Sequence, residues 1–302
     1  MPGYVELHER DELRERARAA RVLLESCRVC PRQCGVNRLH GETGTCRTSA
    51  QAMVSSYGPH FGEEAPLVGR HGSGTVFFTN CNLRCVYCQN YTISQLGYGE
   101  PVSARELARI MLSLQGRHCH NINLVSPTHV VPQILEALEI AADSGLSVPL
   151  VYNTGGYDSV ETLGLLDGIV DIYMPDMKYA DAEVAQQLSD AAEYPSVNRA
   201  AVKEMHRQVG DLHLAPDGVA ERGLLVRHLV LPDNLAGTRE TVEFVSKEIS
   251  ANTYINVMAQ YRPCYKALEI PALSRPISRE EFSRAVKLAR KAGLTRLDRV
   301  AR

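Results

Sequence analysis

The chain has no strong excess of either charge, no apolar run long enough to cross a bilayer, and no internal repeat or low-complexity tract. Each absence narrows the reading. Formal net charge is −2 over 302 residues, and no basic stripe tracks a phosphate backbone, so nucleic acid is not an expected partner. A spanning helix needs about 20 consecutive apolar residues, and without them no membrane association is expected. Met1 to Ser26 is rich in Arg and Glu and lacks the apolar centre of a secretory signal. The expected localisation is therefore cytoplasmic. A chain of 302 residues can still bury a substantial core.

What the chain does have is cysteine, nine in all. In a reducing compartment these read as metal ligands before disulfides. Cys81, Cys85 and Cys88 form Cys-x3-Cys-x2-Cys, with Tyr87 just before the last thiol. Three thiolates this close can hold three corners of a [4Fe–4S] cube and leave one iron open. A structural zinc site normally takes four N or S ligands, which three cysteines do not supply. Gly72-Ser73-Gly74 precedes Thr75 to Thr79, a β-branched and aromatic run that reads as a strand. The loop thus follows the C-terminal end of a strand, where barrel enzymes keep their chemistry. A second group, Cys27-x2-Cys30-x3-Cys34-x11-Cys46, places four thiols in a segment punctuated by Gly and Pro. These spacings suit zinc or an auxiliary Fe–S cluster, with reversible disulfides as a third reading.

Helix and strand signals organise the rest. Residues 11–26 read as a helix with Leu13, Ala17, Ala20, Leu23 and Leu24 near one face, and residues 47–74 read as loop. Ser103-Ala104-Arg105-Glu106 and Ser278-Arg279-Glu280-Glu281 are capping boxes that open helices. Strands are expected at 75–79, 121–125, 148–152, 169–173, 224–231 and 254–258, with helices between them. Such alternation argues for a parallel sheet. The expected fold class is α/β, a partial (β/α)6 TIM-like barrel with an N-terminal helical and cysteine-rich extension. Residues 1–74 form the extension and residues 75–302 the barrel with its C-terminal helix.

The run Cys81 to Asn90 resembles the cluster loop of the radical S-adenosylmethionine (SAM) superfamily. The likeness continues through Cys27 to Arg38, Gly62-Glu63-Glu64, Asn121 to His129, Tyr152 to Tyr157, Asp171 to Tyr179 and Leu225 to Pro232. These stretches are similar in particular to pyruvate formate-lyase activating enzyme homologues with an N-terminal cysteine motif. The resemblance implies a partial barrel and a [4Fe–4S] cluster on Cys81, Cys85 and Cys88. It implies that the open iron chelates the amino and carboxylate groups of SAM. It further implies reductive cleavage of SAM to a 5′-deoxyadenosyl radical, and hence a reductant such as flavodoxin or ferredoxin.

Cofactor contacts follow from the same resemblance. Tyr87 is counted among them. Asp176 and Lys178 sit at i, i+2, so both can point to one side. The resemblance places the Lys on the SAM carboxylate and the Asp on a monovalent cation beside it. Asn153 and Thr154 match an Asp-Thr pair that completes this cation site with the Met174 carbonyl. Asn in place of Asp removes a charge that hard cations prefer. Arg227 lies in the apolar run Leu224 to Leu231, where an unpaired Arg would be costly. Its partner is either the SAM carboxylate or an internal Asp176 or Asp171. The Gly-Gly-Glu motif common in the superfamily is absent. Ser126-Pro127-Thr128-His129 stands in its place, so Ser126 or Thr128 would accept from the SAM amino group. His129 reads as a helix cap, a surface residue or a substrate contact.

Cys119 reads as a packing residue. Cys264 and Tyr261, leaving the last expected strand, are candidate hydrogen-atom donors to a substrate radical, against the plainer reading of Cys264 as a loop cysteine. The expected function is hydrogen abstraction from a substrate, with a glycyl radical enzyme as one candidate. The alternatives are a radical SAM enzyme for a small molecule, by epimerisation or rearrangement, and a non-catalytic Fe–S electron-transfer protein.

Overall fold

Nine strands share one sheet in the computed structural model, which describes residues 1–298. They are β1 (Ala52–His60), β2 (Ser73–Phe78), β3 (Glu100–Val102), β4 (Ile122–Val125), β5 (Leu150–Thr154), β6 (Ile172–Pro175), β7 (His213–Leu214), β8 (Ala220–Leu229) and β9 (Tyr254–Met258). The order is β3-β1-β2-β4-β5-β6-β8, with β7 and β9 both paired to β8. The six expected strands are β2, β4, β5, β6, β8 and β9, and each neighbouring pair among them is parallel. The three short or edge strands β1, β3 and β7 are antiparallel to their partners. The sheet curls without closing into a barrel, because no pairing among the described residues joins β9 to β1 or β3.

Alternation along the strands separates two apolar layers. Leu150, Tyr152, Tyr173, Leu224 and Val226 join the outer core under the helices. Val151, Ile172, Met174 and Leu225, one residue out of phase, form a separate inner cluster. The outer layer includes α1 (Gly3–Glu9) and α2 (Glu12–Val22), whose Leu13, Ala17 and Ala20 are buried as their spacing requires. A short helix α3 (Ala65–Val68) lies instead on the inner side. Its Leu67 is fully buried among the inner cluster, and Asn121, just ahead of β4, donates to the Leu67 carbonyl at 2.9 Å. The helix α3 therefore stops the amino-terminal end of the curled sheet.

After the cysteine loop come α4 (Tyr91–Ser94), α5 (Ala104–Gly116), α6 (Val131–Asp143), α7 (Val160–Gly164), α8 (Ala182–Ser189), α9 (Tyr194–Val209), α10 (Thr238–Phe244) and α11 (Arg279–Lys291). Ser103 with Glu106 and Ser278 with Glu281 form the two expected capping boxes on α5 and α11.

The loop expected over 47–74 is corrected: it contains β1 and α3. Gly58 and Pro59 concealed the strand, since both disfavour a central strand. In the fold β3 pairs only with Ala52 to Val54, so beyond the register shift at Val54/Ser56 the strand is an edge, where proline is tolerated.

Truncation of the Leu67 plug tests this packing. Leu67→Ala removes a fully buried side chain and should lower stability by about 2–5 kcal/mol in denaturant unfolding. A loss under about 1 kcal/mol would mean that the inner layer closes without α3.

Candidate active site

A cavity of about 370 Å3 opens at the carboxyl ends of the parallel strands. Each of the six contributes at or just past its end: Phe77, Val125, Asn153, Asp176, Arg227 and Met258. Cys81, Cys85 and Cys88 line the same space. This is the end of a parallel sheet where helix-flanked folds place their chemistry.

The cysteine loop leaves β2 through Thr79 and Asn80. Asn80 takes φ +70, a left-handed turn that asparagine tolerates. Its side chain donates to Thr48 Oγ1 at 3.2 Å and accepts from Arg47 Nη2 at 3.2 Å. Further on, the amides of Arg84 and Val86 donate to the carbonyls of Ser189 and Leu188 at 3.1 and 2.9 Å. The loop is thus pinned from both sides. The thiols meet donors: the Leu83 amide reaches Cys81 Sγ at 3.4 Å, and Ser189 Oγ reaches Cys85 Sγ at 2.9 Å. Ser94 Oγ lies 3.1 Å from Cys88 Sγ. Burial, with the Cys85 charge adding to it, pushes the Cys81 thiol up to about 12 and moves Cys88 in the same direction. A bound cation reverses that preference, because a coordinating thiol is deprotonated outright.

All nine cysteines are free of disulfides. Among the described residues no group of three or more His, Cys, Asp or Glu side chains is arranged to hold a metal ion. A cube ligated at three different irons does not ask its three sulfurs to converge on one point. Three free thiols with N–H and O–H donors, facing one cavity, fit such a group.

Beside the thiols lies an ion triad. Asp176 Oδ2 accepts from Lys178 Nζ at 2.6 Å, and its Oδ1 accepts from both Nε and Nη2 of Arg227 at 2.8 Å. Of the two partners expected for Arg227, the internal carboxylate of Asp176 is therefore engaged, and the guanidinium still borders the cavity. Burial alone would raise the Asp176 carboxyl, but Arg227 and Lys178 outweigh it and hold it below the usual range. Burial would lower Lys178 and Arg227, and Asp176 reverses both, so each stays charged. Tyr194 Oη accepts from the Lys178 amide at 3.0 Å and lies 2.9 Å from the Gly155 and Asp176 carbonyls. Gly156 takes φ +75, and a side chain there would collide with the Asp176 carbonyl.

Sequence reasoning missed Asp158. It is buried and collects three hydroxyls: Thr128 and Tyr152 on Oδ1 at 2.7 and 2.9 Å, and Thr154 on Oδ2 at 2.7 Å. The only signal was its place four residues after Thr154, beyond the end of a strand. Thr128 and Thr154 border the cavity, but their hydroxyls are already engaged by Asp158 and by each other. Ser126, at φ +59, and Asn153 also line it. Tyr87 lines it too, packed edge-on against Tyr179 and Tyr261 at 6.3 and 6.0 Å.

Other candidates stand elsewhere. His129 is neither cap nor surface residue and does not border the cavity: it is 1% exposed, with Nε2 3.0 Å from the Thr79 carbonyl. Burial and nearby Arg38 push its pKa down to about 4, so it is neutral. An imidazole buried by tertiary packing, with Nε2 on a distant backbone carbonyl and Nδ1 without a partner, is invisible to a local sequence pattern. Cys264 Sγ points at the Tyr87 and Cys88 carbonyls at 3.3 and 3.4 Å, behind the loop. Tyr261 Oη donates to the Leu273 carbonyl at 2.6 Å. Neither lines the cavity.

The N-terminal cysteines dock against this loop. Cys27, Cys30 and Cys46 are buried and Cys34 partly so. The Thr45 amide donates to Cys34 Sγ at 3.4 Å, and a side chain on Gly44 would run into that sulfur. Arg38 Nη1 lies 3.9 Å from Cys27 Sγ. Burial, with Cys46 and Cys27 adding, raises the Cys30 thiol to about 12 against donors from Arg32 and Asn82. Arg32 Nε donates to the Asn82 carbonyl at 3.0 Å, and Arg84 donates to the Thr45 carbonyl.

Comparison with known proteins agrees with this geometry. Residues 75–245 match the family model of the Radical SAM superfamily. An uncharacterized protein of Methanocaldococcus jannaschii is 34% identical over 285 residues, covering 91% of this chain and 77% of that protein. A second uncharacterized protein of the same organism is 24% identical over 290 residues, covering 89% of this chain and 78% of that protein. A radical SAM methyltransferase from Sphaerobacter thermophilus superimposes with a TM-score of 0.50 at 15% identity, over 75% of this chain and 67% of that one. That likeness is one of fold. Among the described residues no helix is long and apolar enough to cross a membrane.

Asp176→Asn removes the shared counterion and leaves two partly buried cations facing each other. It should cost about 1.5–3 kcal/mol at pH 7 in denaturant unfolding, the scale of a charge-assisted hydrogen bond. Because the folded carboxyl is held below its unfolded value, its contribution is present above about pH 4 and lost as pH falls through the lower folded value. The gap between wild type and variant should therefore narrow in acid. A gap under about 1 kcal/mol at pH 7 would contradict the triad.

Proposed function

The chain belongs to the radical SAM superfamily, and from that premise we propose that it cleaves SAM reductively at a cluster held by Cys81, Cys85 and Cys88 and abstracts hydrogen from a substrate in the adjoining cavity. The observation that carries the reading is the shared cavity of three free thiols and the Lys178–Asp176–Arg227 triad. Superfamily membership implies a [4Fe–4S] cluster and SAM, and such enzymes usually draw on a reductant; here a flavodoxin or ferredoxin is the proposed class. When bound, the cluster supplies an electron to SAM, whose 5′-deoxyadenosyl fragment takes the hydrogen atom.

The chain's own residues divide the remaining work. Lys178 offers its ammonium to the SAM carboxylate, and Arg227, oriented by Asp176, offers its remaining N–H groups. Ser126 and Asn153 supply neutral hydrogen-bonding groups for the amino end. Thr128 and Thr154 position these loops through Asp158, and Tyr87 packs under the loop. A monovalent cation beside the carboxylate is the less favoured extension. Thr154 Oγ1 is already contacted by Thr128, Asp158 and the Gly156 amide, and Asn153 brings no charge.

Between the substrate classes, an activating-enzyme-like role, with the radical left on a protein glycine, is favoured over epimerisation. The epimerase reading relied on Cys264 as donor, and that thiol points to the loop backbone rather than the cavity. We further propose that the extension, residues 1–74, binds a second metal on Cys27, Cys30, Cys34 and Cys46, with an iron–sulfur cluster favoured over zinc because the four thiols do not converge on one point as a zinc ion requires. Its contacts through Arg32 and Arg84 support a role in holding the cysteine loop in place.

Cys85→Ala should abolish 5′-deoxyadenosine formation by anaerobically reconstituted, reduced protein, as measured by chromatography. Cleavage at the wild-type rate would overturn the assignment. A variant with Cys81, Cys85 and Cys88 all replaced by alanine should still carry zinc or iron by elemental analysis. Metal-free protein in that case would remove the N-terminal site.

A further inference from the structure

Below the thiols, the segment between β1 and α3 brings two carboxylates to the inner side of the sheet. Glu63 lines the cavity together with His60, whose Nδ1 lies 2.8 Å from Glu63 Oε1. Asn123 of β4 donates to Glu63 Oε2 at 3.2 Å, and Asn256 of β9 donates to Glu64 Oε1 at 3.0 Å. Asn256 lies directly across from Arg227 in the pairing of β8 with β9. The SAM contacts proposed above use neither glutamate.

Two features separate this cluster from an ordinary acidic patch. The first is unmet acceptors. Glu64 is 6% exposed and Asn123 fully buried, yet Glu64 Oε2 and Asn123 Oδ1 have no hydrogen-bond partner among the described residues. A buried acceptor without a donor is costly and uncommon. The second is charge. Arg227 is the cation near Glu64 and Glu63, and its close contacts, like those of Lys178, are to Asp176. Arg227 Nη1 comes no nearer than 4.0 Å to Glu64 Oε1. Burial pushes the Glu64 carboxyl upward, and Arg227 only partly offsets it. His60 meets Glu63, but among the described residues no N–H donor reaches Glu64 Oε2 or Asn123 Oδ1.

We propose that Glu63 and Glu64, held by Asn123 and Asn256, recognise a protonated nitrogen group, ammonium or guanidinium, on the substrate. The proposal rests on the radical SAM reading above and adds the class of the substrate's recognised end. Carboxylate with a side-chain amide on each side matches such a head, since it accepts several N–H bonds and neutralises the charge. The open edge between β1 and β9 gives a route, because His60 closes β1 and is exposed there. The group would be gripped at the strand-side floor while the rest of the substrate extends toward Cys81, Cys85 and Cys88.

Calorimetric titration of the full, anaerobically reconstituted chain tests this with n-butylammonium and n-butylguanidinium as probes and n-butanol as the uncharged control. At least one cation should bind, butanol should not, and Glu64→Gln should weaken the cation by at least about tenfold, the scale of one charge-assisted bond. Glu63→Gln, at the cavity wall, provides the same comparison if Glu64→Gln does not fold. Butanol binding as tightly as the cations would overturn the proposal. So would unchanged affinity in a folded variant, which would leave the glutamates as anchors of α3 only. Failure of the radical SAM reading is distinguishable: wild-type protein would then form no 5′-deoxyadenosine, whereas wild type that forms it but binds no cation refutes this inference alone.

Discussion

One partly buried carboxylate, Asp176, answers two cations at the ends of neighbouring strands. Lys178 lies on one oxygen at 2.6 Å and Arg227 on the other at 2.8 Å. Drawing three charges partly out of water is unfavourable unless each is paired, and here the pairing ties the end of β6 to β8. The same pairing holds Lys178 in its charged form at the cavity wall. Tyr194 and Asn198 anchor the Asp176 carbonyl, so the triad is fixed to α9 as well. Its geometry fixes where an anionic cofactor group can be met.

The inner and outer layers of the sheet explain why chemistry collects at one end. Leu67 and the inner cluster fill the amino-terminal half, which leaves space only where the strands finish. The cysteine loop covers that space. It is held by Leu188 and Ser189 on one side and by the N-terminal cysteine segment on the other. An extension that looks separable along the chain therefore touches the loop at several points, and its strand β1 pairs with β2.

Much of this was legible in the sequence. Six parallel strands and two capping boxes follow from β-branched runs, apolar periodicity and Ser-x-x-Glu signals, which act locally. The thiol loop follows from spacing alone. What the sequence concealed depends on distant partners. Strand β1 is broken by Gly58 and Pro59 and is held by pairing with β2. Arg227 could meet cofactor or carboxylate, and only the fold brings Asp176, 51 residues away, to its guanidinium. His129 looks like a helix-start residue, yet tertiary packing buries it against Thr79. Asp158 organises three hydroxyls, two from β5 and one from the turn after β4, an arrangement with no signature along the chain.

The account turns on SAM meeting an open-iron cluster in this cavity. Electron paramagnetic resonance of the anaerobically reconstituted, dithionite-reduced protein, recorded before and after adding SAM, tests it most directly. The account predicts a [4Fe–4S]+ signal, absent when Cys85 is replaced by alanine, whose g values shift on addition of SAM. A cluster signal that SAM leaves unchanged, or one that persists unaltered without Cys85, would contradict it.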